Sequence, residues 1–450
     1  MNILLVTNTF FPHVGGVARS VAGFADAYRQ RGHRVLVVAP LFPGTPPHEE
    51  DVLRVPALQQ FNGSDFSVGL PSSLLLAGPV REFAPDIVHS NHPFLLGNAA
   101  LRLAHRYRLP LLFTHHTLYE HYTHYVPLNS PALRRFVIRL ATEYANLCDT
   151  VFAPSGSVAD LLRERGVTTP VEVVPTGVDV ERFARGDGAA LRQKLGIPAS
   201  APVIGHAGRL APEKNLNYLA EAVALALEKQ PDAHFLLVGE GPSGAAIENH
   251  FQHRPAARFG TRSGAAAGPP SSRLHRLGLL DWSDLADAYR AMDVFAFASR
   301  SETQGMVLTE AMAAGVPVVA LDAPGAREVV RDGVNGRLLS ATAPPVAMAE
   351  ALLEVLDAPQ QKRAALHAGA VATAGDFSMP RTAARALEMY SRLVATGQPH
   401  RNEAAPGVLD DIAHAIATEW DMLQGITAAT RAVLAGNGDD SAAGANEDRG

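Results

Sequence analysis

Cysteine is all but missing from the 450 residues. Cys148 stands alone, so no intrachain disulfide can form and no cysteine-based zinc site exists. Lysine is scarce too: of 39 basic residues only Lys194, Lys214, Lys229 and Lys362 are lysine, a bias that reads as genome composition more than function. Charged residues make up 19% and the net charge is −6, which gives no broad basic surface for nucleic acid. No apolar run approaches the ~18 residues a transmembrane helix needs. The opening MNILLVTNTF runs straight into a strand without a basic leader, so no signal peptide is expected. What is present is apolar material for sizeable cores, at 47% hydrophobic. The length exceeds what one core fills, so two domains are expected, and a soluble, cytoplasmic enzyme is the base expectation.

The most informative stretch is Ser299 to Pro317, SRSETQGMVLTEAMAAGVP. It follows an apolar strand (Val294 to Phe297) and opens an Ala- and Met-rich helix that Gly315 and Pro317 stop. With the helix starting near Gln304 or Gly305, Glu302 stays in the loop and Glu310 falls in about the second turn. The first-turn N–H groups favour phosphate, and acceptor oxygens on either side suit sugar hydroxyls. A nucleotide diphosphate sugar fits that combination; an ordinary strand, turn and surface helix would give the same spacing.

Upstream, Asn2 to Asn8, a loop with Gly15 and Gly16, a helical pattern closing at Gly32, and the strand His33 to Pro40 make a βαβ unit. The loop lacks G-x-G-x-x-G spacing, so NAD is weakly supported, yet paired glycines let backbone approach a phosphate. Further strands at Asp86 to His89, Leu109 to Phe113, Thr150 to Ala153 and Val171 to Pro175, with helices between, argue for a parallel α/β sheet covered on both faces. Ligands bind at the carboxyl ends of such strands, which puts His115 and His116 on the rim. The next loop carries Tyr119, His121, Tyr122, His124 and Tyr125; without H-E-x-x-H or cysteine partners it reads as an acceptor-shaping or structural loop, not a metal site.

Ser130 and Pro131 read as an N-cap and first helical residue. The following helix sets Leu133, Phe136, Val137, Leu140 and Tyr144 in a stripe, with Arg134, Arg135 and Arg139 elsewhere on it. Such a helix either lies on an anionic membrane or packs into the protein's own core. Domain boundaries are expected at residues 1–177, a 178–200 linker, 201–380, a C-terminal helix 381–399, and an extra segment 400–450. In the second domain Arg209 and Lys214 flank the turn after PVIGHAGRL, where they can meet a diphosphate as a fork and a point charge. Residues 253–273 read as a mobile insertion, and Pro324-Gly325 as another loop-to-helix turn before AREVV. Spacing over 405–435 suits either docking on the body or pairing with another subunit.

Taken together, these residues resemble the retaining glycosyltransferases of family 4. The resemblance covers about Asn2 to Ala395 and rests on E-x7-E (Glu302, Glu310), GR…EKN (Gly208, Arg209, Glu213, Lys214, Asn215) and the early G-G loop. It implies the GT-B fold, two doubly wound Rossmann-like domains facing across a cleft. Within the family, FTHHTLYEHYTHYVP and SETQGMVLTEAMAAG look most like bacterial enzymes that glucosylate diacylglycerol. By that resemblance His116 contacts the donor sugar near the reaction centre, Gly15, Gly16, Arg209 and Lys214 hold the diphosphate, Glu302 the sugar hydroxyls and Glu310 the ribose. The turn Gln304, Gly305, Met306 and Val307 belongs to the same donor site. The implied reaction moves a hexose, with UDP-glucose the favoured donor, to a membrane lipid without a metal or other cofactor. Peripheral attachment to the inner face of the plasma membrane would follow. A soluble or polysaccharide acceptor, a nucleotide-sugar epimerase of the same fold and a silent nucleotide- or lipid-binding module stay open.

Overall fold

The computed structural model describes residues 1–13, 15–58, 68–69, 73–120, 130–254 and 269–396. His121, Tyr122, His124 and Tyr125, most of the 253–273 insertion, and the 400–450 segment with its 405–435 spacing lie outside the described residues. The chain divides into two units, one of Met1–Pro175 joined by the segment from Thr382, the other of Thr176–Arg381.

In the first unit the strands are β1 Asn2–Val6, β2 Arg34–Pro40, β3 Val52–Val55, a small hairpin of β4 Ala57–Leu58 and β5 Val68–Gly69, β6 Ile87–Ser90, β7 Leu111–Thr114, β8 Thr150–Ala153 and β9 Val171–Val173. Seven of them form a parallel sheet in the order β3-β2-β1-β6-β7-β8-β9. Ile3 pairs with Val35 on one side and Ile87 on the other, so strand order reverses about β1. Because helices cover both faces, β6, β7 and β8 are buried at every residue, which is why they read as unbroken runs.

The second unit repeats the plan with β10 Val203–Ala207, β11 His234–Val238, β12 Leu274–Leu277, β13 Val294–Phe297, β14 Val318–Leu321 and β15 Gly336–Leu339, in the order β12-β11-β10-β13-β14-β15. Strand pleating sends Phe295 and Phe297 to one core with Tyr289, Leu308 and Met312, and Val294 and Ala296 to the other with Phe235, Leu352 and Val319. Both units are doubly wound α/β sheets, as expected, and both turn about a central pair of strands.

Two expectations change, and two regions gain detail. Residues 178–200 are not a plain linker: Asp179 and Asp187 cap helices Val180–Ala184 and Gly188–Lys194. Their glycines serve close packing, since a Cβ on Gly188 would sit 2.3 Å from the backbone of Arg290. The segment after Pro324 forms successive turns in place of a helix, beginning at Gly325 with φ +81°. The ends of the 253–273 insertion are pinned: Arg254 pairs with Glu221 and Glu228, and the buried Arg273 donates to the carbonyls of Leu227, Gln230 and Ala233. Finally, the C-terminal helix runs Met379–Thr396 and returns to the first unit, where Tyr390 lies buried against Tyr28 and His89.

Candidate active site

In the second unit the loops after β10 and β13 emerge where strand order reverses, the position at which open α/β sheets bind ligands. The loop after β10 carries Gly208, Arg209, Glu213, Lys214 and Asn215. Asn215 takes the left-handed conformation (φ 55°) that asparagine tolerates better than most residues, and its amide donates to Ala298 O at 3.1 Å, tying this loop to the end of β13. Ser299 and Ser301 both donate to Glu213 O at 3.4 Å.

This stitching brings Lys214 onto Glu302, and the ammonium donates to Glu302 Oε1. Burial pushes the Glu302 carboxyl up, but the Lys214 charge, aided by Ser299 and His206, overrides it and holds the group below its ordinary value. Arg209 pairs with Glu213 at 3.2 Å. Glu310, 4% exposed, accepts a hydrogen bond from Tyr289 at 2.8 Å. The helix that carries Glu310 runs Met306–Ala313, and Gly305 caps it at φ 76° with no side chain, so its N-terminal N–H groups have no side-chain cap. Gln304, expected in the donor site, holds Thr176 with its buried amide, accepting from Thr176 N at 2.6 Å and donating to Thr176 O at 2.8 Å. Val307 packs on the core.

His206, on β10, was not singled out by sequence because it sits inside an apolar run. Its Nδ1 lies 2.9 Å from Ala296 O, its ring stacks on Phe295 and Phe297, and burial, with the Lys214 charge nearby, pushes it down to about 4.

In the first unit Gly15 is extended and caps the helix Gly16–Arg29 without a side chain; Gly16 is its exposed first residue. His116 follows β7, and its Nε2 lies 2.9 Å from Asn91 Oδ1. Asn91 Nδ2 donates to Val6 O, so Oδ1 is the acceptor and Nε2 carries the proton, leaving the lone pair on Nδ1. Burial pushes His116 down to about 3, so the ring is neutral. Asn91 and His92, at the end of β6, were missed by sequence reasoning, which stopped that strand at His89. His92 Nδ1 accepts from Asn8 N at 3.0 Å and fixes the loop after β1. His115 is also buried and edge-on to Phe113 and Tyr119.

Two family models match, "Glycosyltransferase Family 4" over residues 14–182 and "Glycosyl transferases group 1" over residues 201–358. A GDP-mannose-dependent alpha-mannosyltransferase of Mycolicibacterium smegmatis is 31% identical over 346 residues, 75% of this chain and 84% of that protein. The chain belongs to glycosyltransferase family 4. An alpha-monoglucosyldiacylglycerol synthase of Streptococcus pneumoniae is 28% identical over 350 residues, 75% of each protein. Among solved structures, Anabaena Alr3699/HepE in complex with UDP-glucose aligns with a TM-score of 0.66 at 23% identity, over 87% of this chain and all of that one, which shows the fold alone.

This family 4 glycosyltransferase is a retaining hexosyltransferase of the GT-B fold. Its helix Pro131–Asn146 starts as expected, with Ser130 Oγ accepting from Leu133 N at 3.1 Å. Arg134 and Arg139 are exposed and Arg135 is half-buried; Arg139 pairs with Glu143. Ala141, Thr142, Tyr144 and Ala145 are buried, while Leu133, Phe136, Val137 and Leu140 are half-buried. Among the described residues no helix is long and apolar enough to cross a membrane. A cavity of about 520 Å³ in the second unit, lined by Arg192, Arg290, Arg363 and His367, opens at the amino ends of the strands, away from Lys214 and Glu302. Its charge serves the fold: Arg290 donates to Ala314 O and His367 Nδ1 meets Gly315 O at the end of the Met306–Ala313 helix.

Proposed function

We propose that this glycosyltransferase moves glucose from UDP-glucose to a membrane lipid such as diacylglycerol, forming an α-glucoside. The observation that carries the donor half is the Lys214–Glu302 pair beside the side-chain-uncapped helix start at Gly305. There a cation and backbone N–H groups offer themselves to the diphosphate, and the carboxylate to sugar hydroxyls. Arg209 adds a guanidinium fork, Glu310 takes the ribose, and Gly15 and Gly16 let backbone approach the phosphates. No metal or other cofactor enters this scheme; Arg209, Lys214 and the N–H groups offset the developing diphosphate charge.

Attack comes from the face the leaving group departs. The bond from the anomeric carbon to the β-phosphate oxygen breaks, the acceptor oxygen bonds the same face, and the acceptor proton passes to the departing phosphate. His116, neutral and oriented by Asn91, is assigned to the donor sugar near the reaction centre. Glu302, paired with Lys214 and given to sugar hydroxyls, is not the nucleophile.

The lipid acceptor is supported by the name of the Streptococcus relative and by the only partly buried Leu133, Phe136, Val137 and Leu140 on a helix that also carries Arg134, Arg135 and Arg139. A peripheral seat on an anionic inner membrane face follows. The Mycolicibacterium relative, named for GDP-mannose, favours a second reading in which the carrier is GDP. Purified protein incubated with radiolabelled UDP-glucose, UDP-galactose or GDP-mannose over anionic liposomes containing diacylglycerol separates the readings. Glucose label in the lipid phase is expected. Label that stays aqueous with every donor contradicts the lipid acceptor, and mannose label alone in lipid contradicts the donor.

A further inference from the structure

Strand order in the first unit reverses about β1, and the loop that leaves it, Thr7 to Gly15, lies at the carboxyl ends of the strands. Its first half is tied toward β6. Besides the bond from Asn8 N to His92, Asn8 Nδ2 donates to Phe94 O at 3.0 Å and Oδ1 accepts from Leu96 N at 3.1 Å. Its second half is tied the other way by one side chain, Arg54 of β3. There Nη2 donates to Phe11 O at 2.5 Å and Nη1 to Pro40 O at 2.9 Å, while Nε and Nη2 reach the two carboxylate oxygens of Glu49 at 2.6 and 2.7 Å. The guanidinium carbon also lies 5.5 Å from the centre of the Phe10 ring. Both charged side chains are largely buried, Arg54 at 12% exposed and Glu49 at 17%.

An ion pair this far from water adds little net stability, because desolvation offsets its attraction. What it supplies is geometry: a planar fork that serves a carboxylate and two carbonyls at once fixes Phe11 O against β2 and β3. We propose that Arg54 is a positioning residue for the transfer reaction, holding the loop after β1 so that Gly15 and Gly16 stand where the phosphates come. It touches no substrate and acts through the Phe11 carbonyl. A lysine there keeps the charge but has no fork, so it cannot serve all three partners. The inference rests on the reading above that Gly15 and Gly16 approach the diphosphate, and adds to it the side chain that places them.

The test is steady-state transfer and melting of wild type, Arg54→Met, Arg54→Lys and Leu162→Ala, the last a buried core residue of the same unit on the helix Gly156–Glu164. Arg54→Met is expected to lower kcat about 100-fold, the cost of a group misplaced by about 1 Å. Donor KM is expected to change less than about threefold, because Arg209, Lys214 and Glu310 are untouched. Arg54→Lys is expected to keep more turnover than Arg54→Met, and Leu162→Ala to melt lower at unchanged turnover. An Arg54→Met protein that folds and turns over like wild type overturns the inference, as does turnover that follows melting temperature across all the variants. Gly16→Val separates the two readings: full turnover there, with loss in Arg54→Met, contradicts the phosphate role of Gly16 and supports Arg54 as the anchor of the loop. Wild type that transfers no sugar from UDP-glucose, UDP-galactose or GDP-mannose contradicts the donor reading. In that case, or if Arg54→Met does not fold, hydrogen exchange of wild type and Arg54→Lys decides the anchor. Faster exchange confined to residues 7–13 supports it, and unchanged exchange there overturns it.

Discussion

Lys214 donates to Glu302 across 88 residues of sequence, joining the loop after β10 to the loop after β13. Each residue is assigned a different part of the donor, so the pair fixes the spacing between diphosphate and sugar. Glu302→Gln keeps the shape and removes the charge. We expect turnover to fall by about two orders of magnitude, with the fold intact. Steady-state transfer assays and a melting curve check this; near-normal turnover would remove Glu302 from the site.

Gly325 touches the same loop from the side. At φ +81° it is already in glycine's region, and a Cβ there would lie 2.8 Å from Glu302 Cβ and 3.0 Å from the backbone of Gln304. Gly325→Ala is expected to cost about 1–3 kcal/mol of stability and to lower turnover beyond that, because the Glu302 loop must shift. Denaturant titration and kinetics on the soluble fraction measure both. A stable variant with full activity contradicts the contact.

Asn91 sets the proton of His116 through its Oδ1, 2.9 Å from Nε2. Asn91→Asp puts a carboxylate there and raises the His116 pKa, since an opposite charge favours the imidazolium. Wild-type turnover carries no His116 titration near neutrality, because the ring is pushed down to about 3. The variant is expected to lose turnover as pH falls through about 6.5, where the ring gains charge and its Nδ1 lone pair is taken up. Identical pH profiles would show that the tautomer of His116 is irrelevant to transfer.

How much of this was legible in the chain follows from range. The Glu302–Glu310 junction was readable because its determinants are local: an apolar strand, Gly305, a helix-forming run, then Gly315 and Pro317. The Ser130 cap was readable for the same reason. The return of the Met379–Thr396 helix was not, since Tyr390 meets His89 from 301 residues away and no local pattern encodes that. Residues 178–200 misled because glycine signals both a linker and a close approach, and only the neighbouring helix Trp282–Arg290 distinguishes them. His206 was invisible as a site residue because a histidine within an apolar strand carries no spacing signal.

Burial pushes His89, His92 and His115 each down to about 3, below the ~6.5 of an unfolded chain. The unfolded chain therefore takes up protons first as pH falls. Stability from these groups is complete above about 6.5 and is lost on acidification toward 3, by up to about 1.4 kcal/mol per pH unit for each ring. Urea midpoints at pH 7.5, 6 and 5 are expected to fall in that order. A midpoint that is flat or rises on acidification contradicts neutral burial of the three rings.

A crystal structure of the protein soaked with UDP puts the account to its hardest trial. The account expects the diphosphate on Lys214, Arg209 and the N–H groups after Gly305, with the ribose against Glu310. A nucleotide seated elsewhere, for instance in the arginine-lined cavity of Arg290 and Arg363 at the other end of the strands, would contradict it.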